Sequence, residues 1–215
     1  MKITTHTCAT PFGEIDLRVI EAGSQQAALL RDEPAAHAAI YAAKTLGITR
    51  AIELLSAVAL DRLLSTAAIV VPHDLVDLTV ARVATFFVGK GYGFLGQQHV
   101  FCPELRRSAL HTLESSGLRS FARGTLAVAD HPQAQIDWRW GAQLMAQHGA
   151  PAAYLAKELE ICYLPLCVIG HREDLTPLLG ALIANLPESR ACPCASAMQP
   201  SRERGLVGDD WRAWM

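Results

Sequence analysis

The sequence lacks any hydrophobic run approaching the roughly 18 residues that cross a bilayer, so no membrane partner is expected. No secretory leader is expected, because MKITTHTCATPFG carries one lysine and no apolar block behind it. Neither sign of charge predominates: 19 Lys and Arg stand against 21 Asp and Glu, a formal net charge of -2. That balance gives no electrostatic footprint for nucleic acid or for an anionic membrane surface. Cysteine is sparse, with six residues scattered through 215, which fits reduced thiols in a cytoplasmic protein rather than a disulfide framework. No G-x-S-x-G elbow, no Walker loop and no H-E-x-x-H pairing occurs, so serine-hydrolase, P-loop and histidine-metal readings have no motif behind them.

What is present is a globular composition, 51% hydrophobic and 19% charged, in a chain long enough for one large domain. Ile15 to Ile20 and Gln26 to Leu30 read as strands joined through Glu21-Ala22-Gly23-Ser24. Arg50 to Ala57, Ala67 to Pro72, Leu75 to Val80, Val83 to Val88 and Gly124 to Ala129 read as further strands. Helices are expected from Glu33 to Leu46, from Pro103 to a stop at Gly117, and over about Gln133 to Gln147 and Pro151 to Glu160. A last amphipathic helix carries Leu178, Leu179, Leu182, Ile183 and Leu186, and the segment from Ala191 reads as polar and irregular. Strands alternating with helices predict an α/β fold with a mixed sheet, a main domain over residues 1–190 and a C-terminal tail over 191–215.

The stretch KELEICYLPLCVIGHREDL passes from a helix into an apolar run, Ile161 to Ile169, and breaks at Gly170. Such a run reads as a buried parallel strand, and ligands in open α/β sheets sit beyond the carboxyl ends of such strands. His171 is therefore a candidate catalytic residue with Asp174 placed to orient it. The other reading of Asp174, with Glu173, is a charge favouring the N-terminus of the next helix. Gly91-Tyr92-Gly93-Phe94-Leu95-Gly96 matches G-x-G-x-x-G, but the next helix opens only at Pro103, so it reads as a loop and not a dinucleotide cradle. Cys192-Pro193-Cys194 could be half of a metal site or a redox pair. Cys162 and Cys167, five apart on one strand, face opposite ways and supply no second pair, so inert thiols and no metal are expected.

Several segments, in order, resemble one family. Ala42-Ala43-Lys44-Thr45-Leu46-Gly47-Ile48-Thr49-Arg50 is similar to the "ALKELGVTR" of methylthioadenosine phosphorylases in the purine nucleoside phosphorylase superfamily. Ser56-Ala57-Val58 is similar to "SAVGSL", Arg82 to Phe87 to "RPSTFF", and Phe101-Cys102-Pro103-Glu104-Leu105-Arg106 to "FCPELR". Trp140-Gly141-Ala142 and Glu158 to Tyr163 resemble "WGAD" and "ELGICY", and Cys192-Pro193-Cys194 has a counterpart near the family's C-terminus. The resemblance covers roughly residues 10 to 197. It implies a mixed, partly barrel-like sheet flanked by helices, no cofactor, and assembly as a homo-oligomer, a trimer or hexamer.

The resemblance also implies chemistry: phosphate attacks the anomeric carbon of a nucleoside while the purine leaves. The chain is expected to lack the strand and "GGSG"-like loop that begin the family's phosphate clamp. The clamp's "RHG" falls on Arg31-Asp32-Glu33, which sets carboxylates where a dianion would bind. Arg31, Ser56 and Ala57 are what remains of the phosphate-facing set. The family's base-stacking aromatic falls on Ala134, its ribose-facing methionine on Gln147, its phosphate-facing threonine on His148, and its purine-binding aspartate on Gly170. Loss of several such groups, each worth a factor of about 10² or more in rate, argues against phosphorolysis. Three functions then stand in order of expectation. The first is a divergent protein that binds a nucleoside-like ligand with little or no phosphorolysis. A non-catalytic partner of another enzyme comes second, and an active phosphorylase last.

Overall fold

The computed structural model describes residues 1–90, 95–131, 141–170 and 174–214. A hairpin of β1 (Lys2–Thr10) and β2 (Gly13–Ala22) opens the chain, and β3 (Gln25–Arg31) follows after the turn at Gly23. Gly23 has φ +62, the left-handed conformation that a tight two-residue turn demands. Next come α1 (Ala36–Thr45), β4 (Arg50–Ala59), β5 (Ile69–Val70) and β6 (Asp74–Asp77). Helix α2 (Pro103–Ser116) starts on proline and ends at Gly117, φ 69, as the proline and glycine positions predict. Strands β7 (Ser120–Phe121), β8 (Thr125–Val128) and β9 (Leu144–Ala146) precede α3 (Ala150–Glu158). Strand β10 (Cys162–Ile169), α4 (Thr176–Ala184) and α5 (Gln199–Glu203) complete the order.

The strands form one mixed sheet ordered β1-β2-β3-β4-β10-β5-β7, with a second arm in which β9 joins β4 to β8 and β8 joins β6. Strand β4 is the branch point. Arg50 to Ala57 pair in parallel with Cys162 to Ile169 of β10, while Ala57 to Ala59 pair antiparallel with Ala146 to Leu144. That fork bends the sheet toward a partial barrel and brings the ends of β4, β9 and β10 together. Every residue of β10 is buried, as an almost purely apolar strand between covered faces must be.

Pro165 lies in the middle of this central strand, where a missing N–H normally breaks a ladder. The Cys162 N–H donates to Thr49 beside β4, and the Ile169 N–H donates to Ala68 on the other side. Alternation therefore turns the Pro165 nitrogen away from β4, and β5 pairs only with Cys167 and Val168. Pro165 costs the sheet no hydrogen bond.

The structure departs from the sequence reading in four places. Val83 to Val88 is not a strand: the Thr85 hydroxyl and the Phe86 N–H both donate to the Glu158 carboxylate, at 2.6 and 2.7 Å, which takes the backbone away from any ladder. Leu144 to Ala146, read as helix, forms β9 because β4 and β8 both offer it partners; residues 132–140 of that reading lie outside the described residues. Strand β1 was not foreseen, since KITTHTCAT carries few apolar residues and forms a largely exposed edge. The segment from Ala191 is structured rather than irregular, with a 3-10 turn over Pro193–Ser196, α5, and buried Met198 and Trp214. Among the described residues, no helix is long and apolar enough to cross a membrane.

Candidate active site

The carboxyl ends of β3, β4 and β10 meet where the sequence placed a ligand. Asp32 follows β3 with φ 42, a left-handed turn that aspartate tolerates better than most residues. The turn is held by its own N–H donating to Leu54 at 3.0 Å. It aims the Asp32 carboxylate at Ser56 on β4. The Ser56 N–H donates to Oδ1 at 2.8 Å and the Ser56 hydroxyl donates to Oδ2 at 2.7 Å. Thus both donors of an expected phosphate-facing residue are taken by an internal anion.

Below this pair lies Glu53, fully buried, which accepts the Glu33 N–H at 3.0 Å and a short hydrogen bond from the Tyr163 hydroxyl. Burial pushes the Glu53 carboxyl up from 4.5 to about 7; the two donors oppose that rise, and the charges of Asp32 and Glu33 add to it. Burial first, and then the Glu53 charge, push the Tyr163 phenol well above its ordinary range. The sequence reading missed this pair. Its signal was a lone glutamate inside the otherwise apolar run Ala51-Ile52-Glu53-Leu54-Leu55.

Pairing of Ala57 with Ala146 carries Gln147 and His148 to the same end of the sheet. Gln147 donates through Nε2 to the Asp130 carbonyl at 3.2 Å, and its own carbonyl accepts a short hydrogen bond from Arg82. Arg82 Nε lies 2.8 Å from Asp130 Oδ1, and the Val80 N–H donates to Asp130 Oδ2 at 3.0 Å. Half-buried His148 is pulled below its ordinary range by burial and by Arg82, with Asp32 and Glu33 opposing. Arg31, Ser56, Ala57, Gln147, His148 and Gly170 therefore converge on the ends of neighbouring strands, while Ala134 lies outside the described residues.

The His171–Asp174 constellation divides. His171 lies outside the described residues. Asp174 Oδ1 accepts the Thr176 N–H at 2.8 Å, and hydrogen bonding from the Thr176 side chain first, and from its N–H second, holds the Asp174 carboxyl below the usual range. Asp174 thus serves the start of α4, the alternative that the sequence left open. Gly170 has φ +70, and a Cβ there would lie 3.1 Å from Thr66 Cγ2. Gly170 accordingly holds a backbone conformation that suits glycine.

Beside the strand ends, at the N-terminus of α1, an open cleft of about 580 Å³ is lined by Phe12, Pro34, His37, Val83, Thr85 and Phe86. His37 Nε2 is 3.2 Å from the Thr85 carbonyl, and its ring packs at 5.2 Å between centroids against both Phe12 and Phe86. Burial holds the His37 imidazole below its ordinary range. The pocket expected at the tip of β10 therefore has a neighbour on the α1 side, reached from Asp32 through Glu33 and Pro34.

The fold also gathers cysteines. Cys102, Cys162, Cys192 and Cys194 are all buried with their sulfur atoms within 4.8 Å of one another, so the second pair that sequence spacing did not supply comes from Cys102 and Cys162. Cys167 faces away from them, toward Glu53 and Asp32, and burial pushes its thiol far above the ordinary range.

Known proteins give this architecture a lineage. The chain is 25% identical to a probable 6-oxopurine nucleoside phosphorylase of Korarchaeum cryptofilum, over 88% of this chain and 89% of that protein. It is 26% identical to an S-methyl-5'-thioadenosine phosphorylase of Thermofilum pendens, over 74% of this chain and 71% of that one. Among solved structures, a methylthioadenosine phosphorylase from an antarctic soil metagenomic library superposes with a TM-score of 0.78 at 20% identity, covering 91% of this chain and 84% of that one. The family model of the phosphorylase superfamily matches residues 10–178, and the chain belongs to that superfamily.

Proposed function

We propose that this protein binds a nucleoside-like small molecule at the ends of β3, β4 and β9 and in the adjoining α1 cleft, with little or no phosphorolysis. One observation carries the reading: the Asp32 carboxylate accepts both donors of Ser56. A phosphate dianion entering there would meet a like charge with its hydrogen-bonding partners already engaged. Gly170 supports the same reading, because it offers no side chain to a leaving purine. The largely apolar cleft with Phe12, His37 and Phe86 suits a flat heterocycle, which gains from edge and face contacts with aromatic rings. A cytoplasmic, homo-oligomeric protein is part of the proposal.

A second reading, a non-catalytic partner of another enzyme, is favoured by one feature. Val80, Val83 and Val88 are 92%, 52% and 65% exposed along the segment that borders the cleft, an apolar surface suited to burial against another chain.

Two measurements separate these readings. Phosphate-dependent turnover of methylthioadenosine, methylthioinosine, adenosine and inosine is expected to be at background, and turnover at an ordinary enzymatic rate would overturn the proposal. Thermal shift with purines, nucleosides and ribose phosphates is expected to raise the melting temperature with at least one compound, since a native-state ligand stabilises by mass action. Silence across all of them would favour the partner reading. Inorganic phosphate is expected to stabilise the Asp32→Ala variant and not the parent protein.

A further inference from the structure

The four clustered cysteines come from three parts of the chain. Cys102 caps α2, with its sulfur accepting the Leu105 N–H at 3.5 Å. Cys162 is the first residue of β10, and the Cys102 N–H donates to the Tyr163 carbonyl beside it at 2.9 Å. Cys192 and Cys194 flank Pro193 in the C-terminal segment. A zinc ion with sulfur bonds of about 2.3 Å at tetrahedral angles needs sulfurs about 3.8 Å apart. The Cys162–Cys192 separation is 3.3 Å, and all four sulfurs lie within 4.8 Å of one another, so the set brackets that spacing.

We infer that Cys102, Cys162, Cys192 and Cys194 form a closed tetrathiolate site for a soft divalent cation, zinc above all, that fastens the C-terminal segment to the start of the central strand. Loading takes one zinc ion, releases four thiol protons, and leaves a dianionic centre with no change of oxidation state. The surroundings suit that charge. The N-terminus of α2 sets the Leu105 N–H and its positive dipole end against the Cys102 sulfur. Arg190 Nη1 stands 3.9 Å from the Cys162 sulfur and is anchored by donating to the Glu160 carbonyl at 2.7 Å. With four protein ligands and all of them buried, no position is left for water or substrate, which makes the centre structural and not catalytic.

The full chain, expressed with zinc supplied and purified without chelator, is expected to carry about one zinc per chain by elemental analysis. Reloading with cobalt(II) should give the intense thiolate-to-metal absorption and the visible bands of a tetrahedral sulfur site. Cys192→Ser and Cys162→Ser should each drop metal content to about a tenth or less, while Cys8→Ser, on the exposed β1 edge, should keep it. Alkylation of the denatured, metal-stripped protein without reductant should label all six cysteines. Sub-stoichiometric zinc together with a protein mass showing two disulfides would overturn the site. Equal metal content in parent and Cys192→Ser would overturn it too. The cobalt spectrum of the parent protein decides the matter even if the serine variants fail to fold.

Discussion

Glu53 has no exposure to water, and its carboxyl is raised from 4.5 to about 7 chiefly by burial. Folding therefore favours the protonated form. The stability tied to that form is complete below about pH 4.5 and is lost as pH rises through about 7. Glu53→Gln keeps a neutral hydrogen-bonding group and removes the titration. The variant's stability relative to the parent should thus climb across that window by up to about 3 kcal/mol, at roughly 1.4 kcal/mol per pH unit. Urea unfolding of both proteins at about pH 5 and about pH 8 checks this, and an unchanged difference between the two would refute it. The residue scale is also where the sequence was least legible. Arg31-Asp32-Glu33 showed carboxylates near the phosphate positions, yet their geometry depends on the left-handed Asp32 turn and on the β3–β4 register. Glu53–Tyr163 and Arg82–Asp130 join residues 110 and 48 positions apart; Glu53 stands out in its apolar run, but no local pattern names the partner of either acid.

Gly170 carries the element-scale consequence of the turn after β10. Restoring an acid by Gly170→Asp places an L side chain at φ +70 and its Cβ 3.1 Å from Thr66 Cγ2. A cost of about 1–2 kcal/mol is expected for the backbone, read as a lower urea midpoint, and phosphorolysis should not return because Asp32 still holds Ser56. Appearance of activity in this single variant would show that the turn, and not the phosphate side, limits the chemistry. Most elements were legible where local rules and tertiary demand agree. Helix α2 is bounded by Pro103 and Gly117, and β10 by an apolar run of strand length. Legibility failed where a distant partner decides. Val83 to Val88 has strand composition but gives its Thr85 and Phe86 donors to Glu158, and Leu144-Met145-Ala146 has helix composition but two strands waiting for it.

Across the whole molecule, the C-terminal segment is fastened to the core by buried and half-buried polar contacts. Arg50 Nη2 donates to the Pro187 carbonyl at 2.6 Å, Glu104 accepts the Ala191 N–H at 3.0 Å, and Glu160 accepts the Met198 N–H at 3.0 Å. Glu160 also pairs with Arg202 Nη2 at 2.7 Å. Glu160→Ala leaves Arg202 and the Met198 N–H without that partner, a loss of about 1–3 kcal/mol. Trypsin should then cut at Arg202 and Arg204 well before the core, and equal protection in parent and variant would show that Glu160 does not hold the segment. The order α/β with a mixed sheet was readable from alternating patterns, whereas the docking of the tail was not, because its polar sequence hides Met198 and Trp214. The unbroken pairing of β10 with β4 has a mechanical meaning. Eight residue pairs in register run from Cys162 beside Arg50 to Ile169 beside Ala57. At about 3.3 Å per residue they form a stiff rod of roughly 23 Å. The four buried cysteines sit at the Cys162 end of this rod and the proposed ligand site at the Ile169 end, so a change at either end reaches the other only through the length of the sheet.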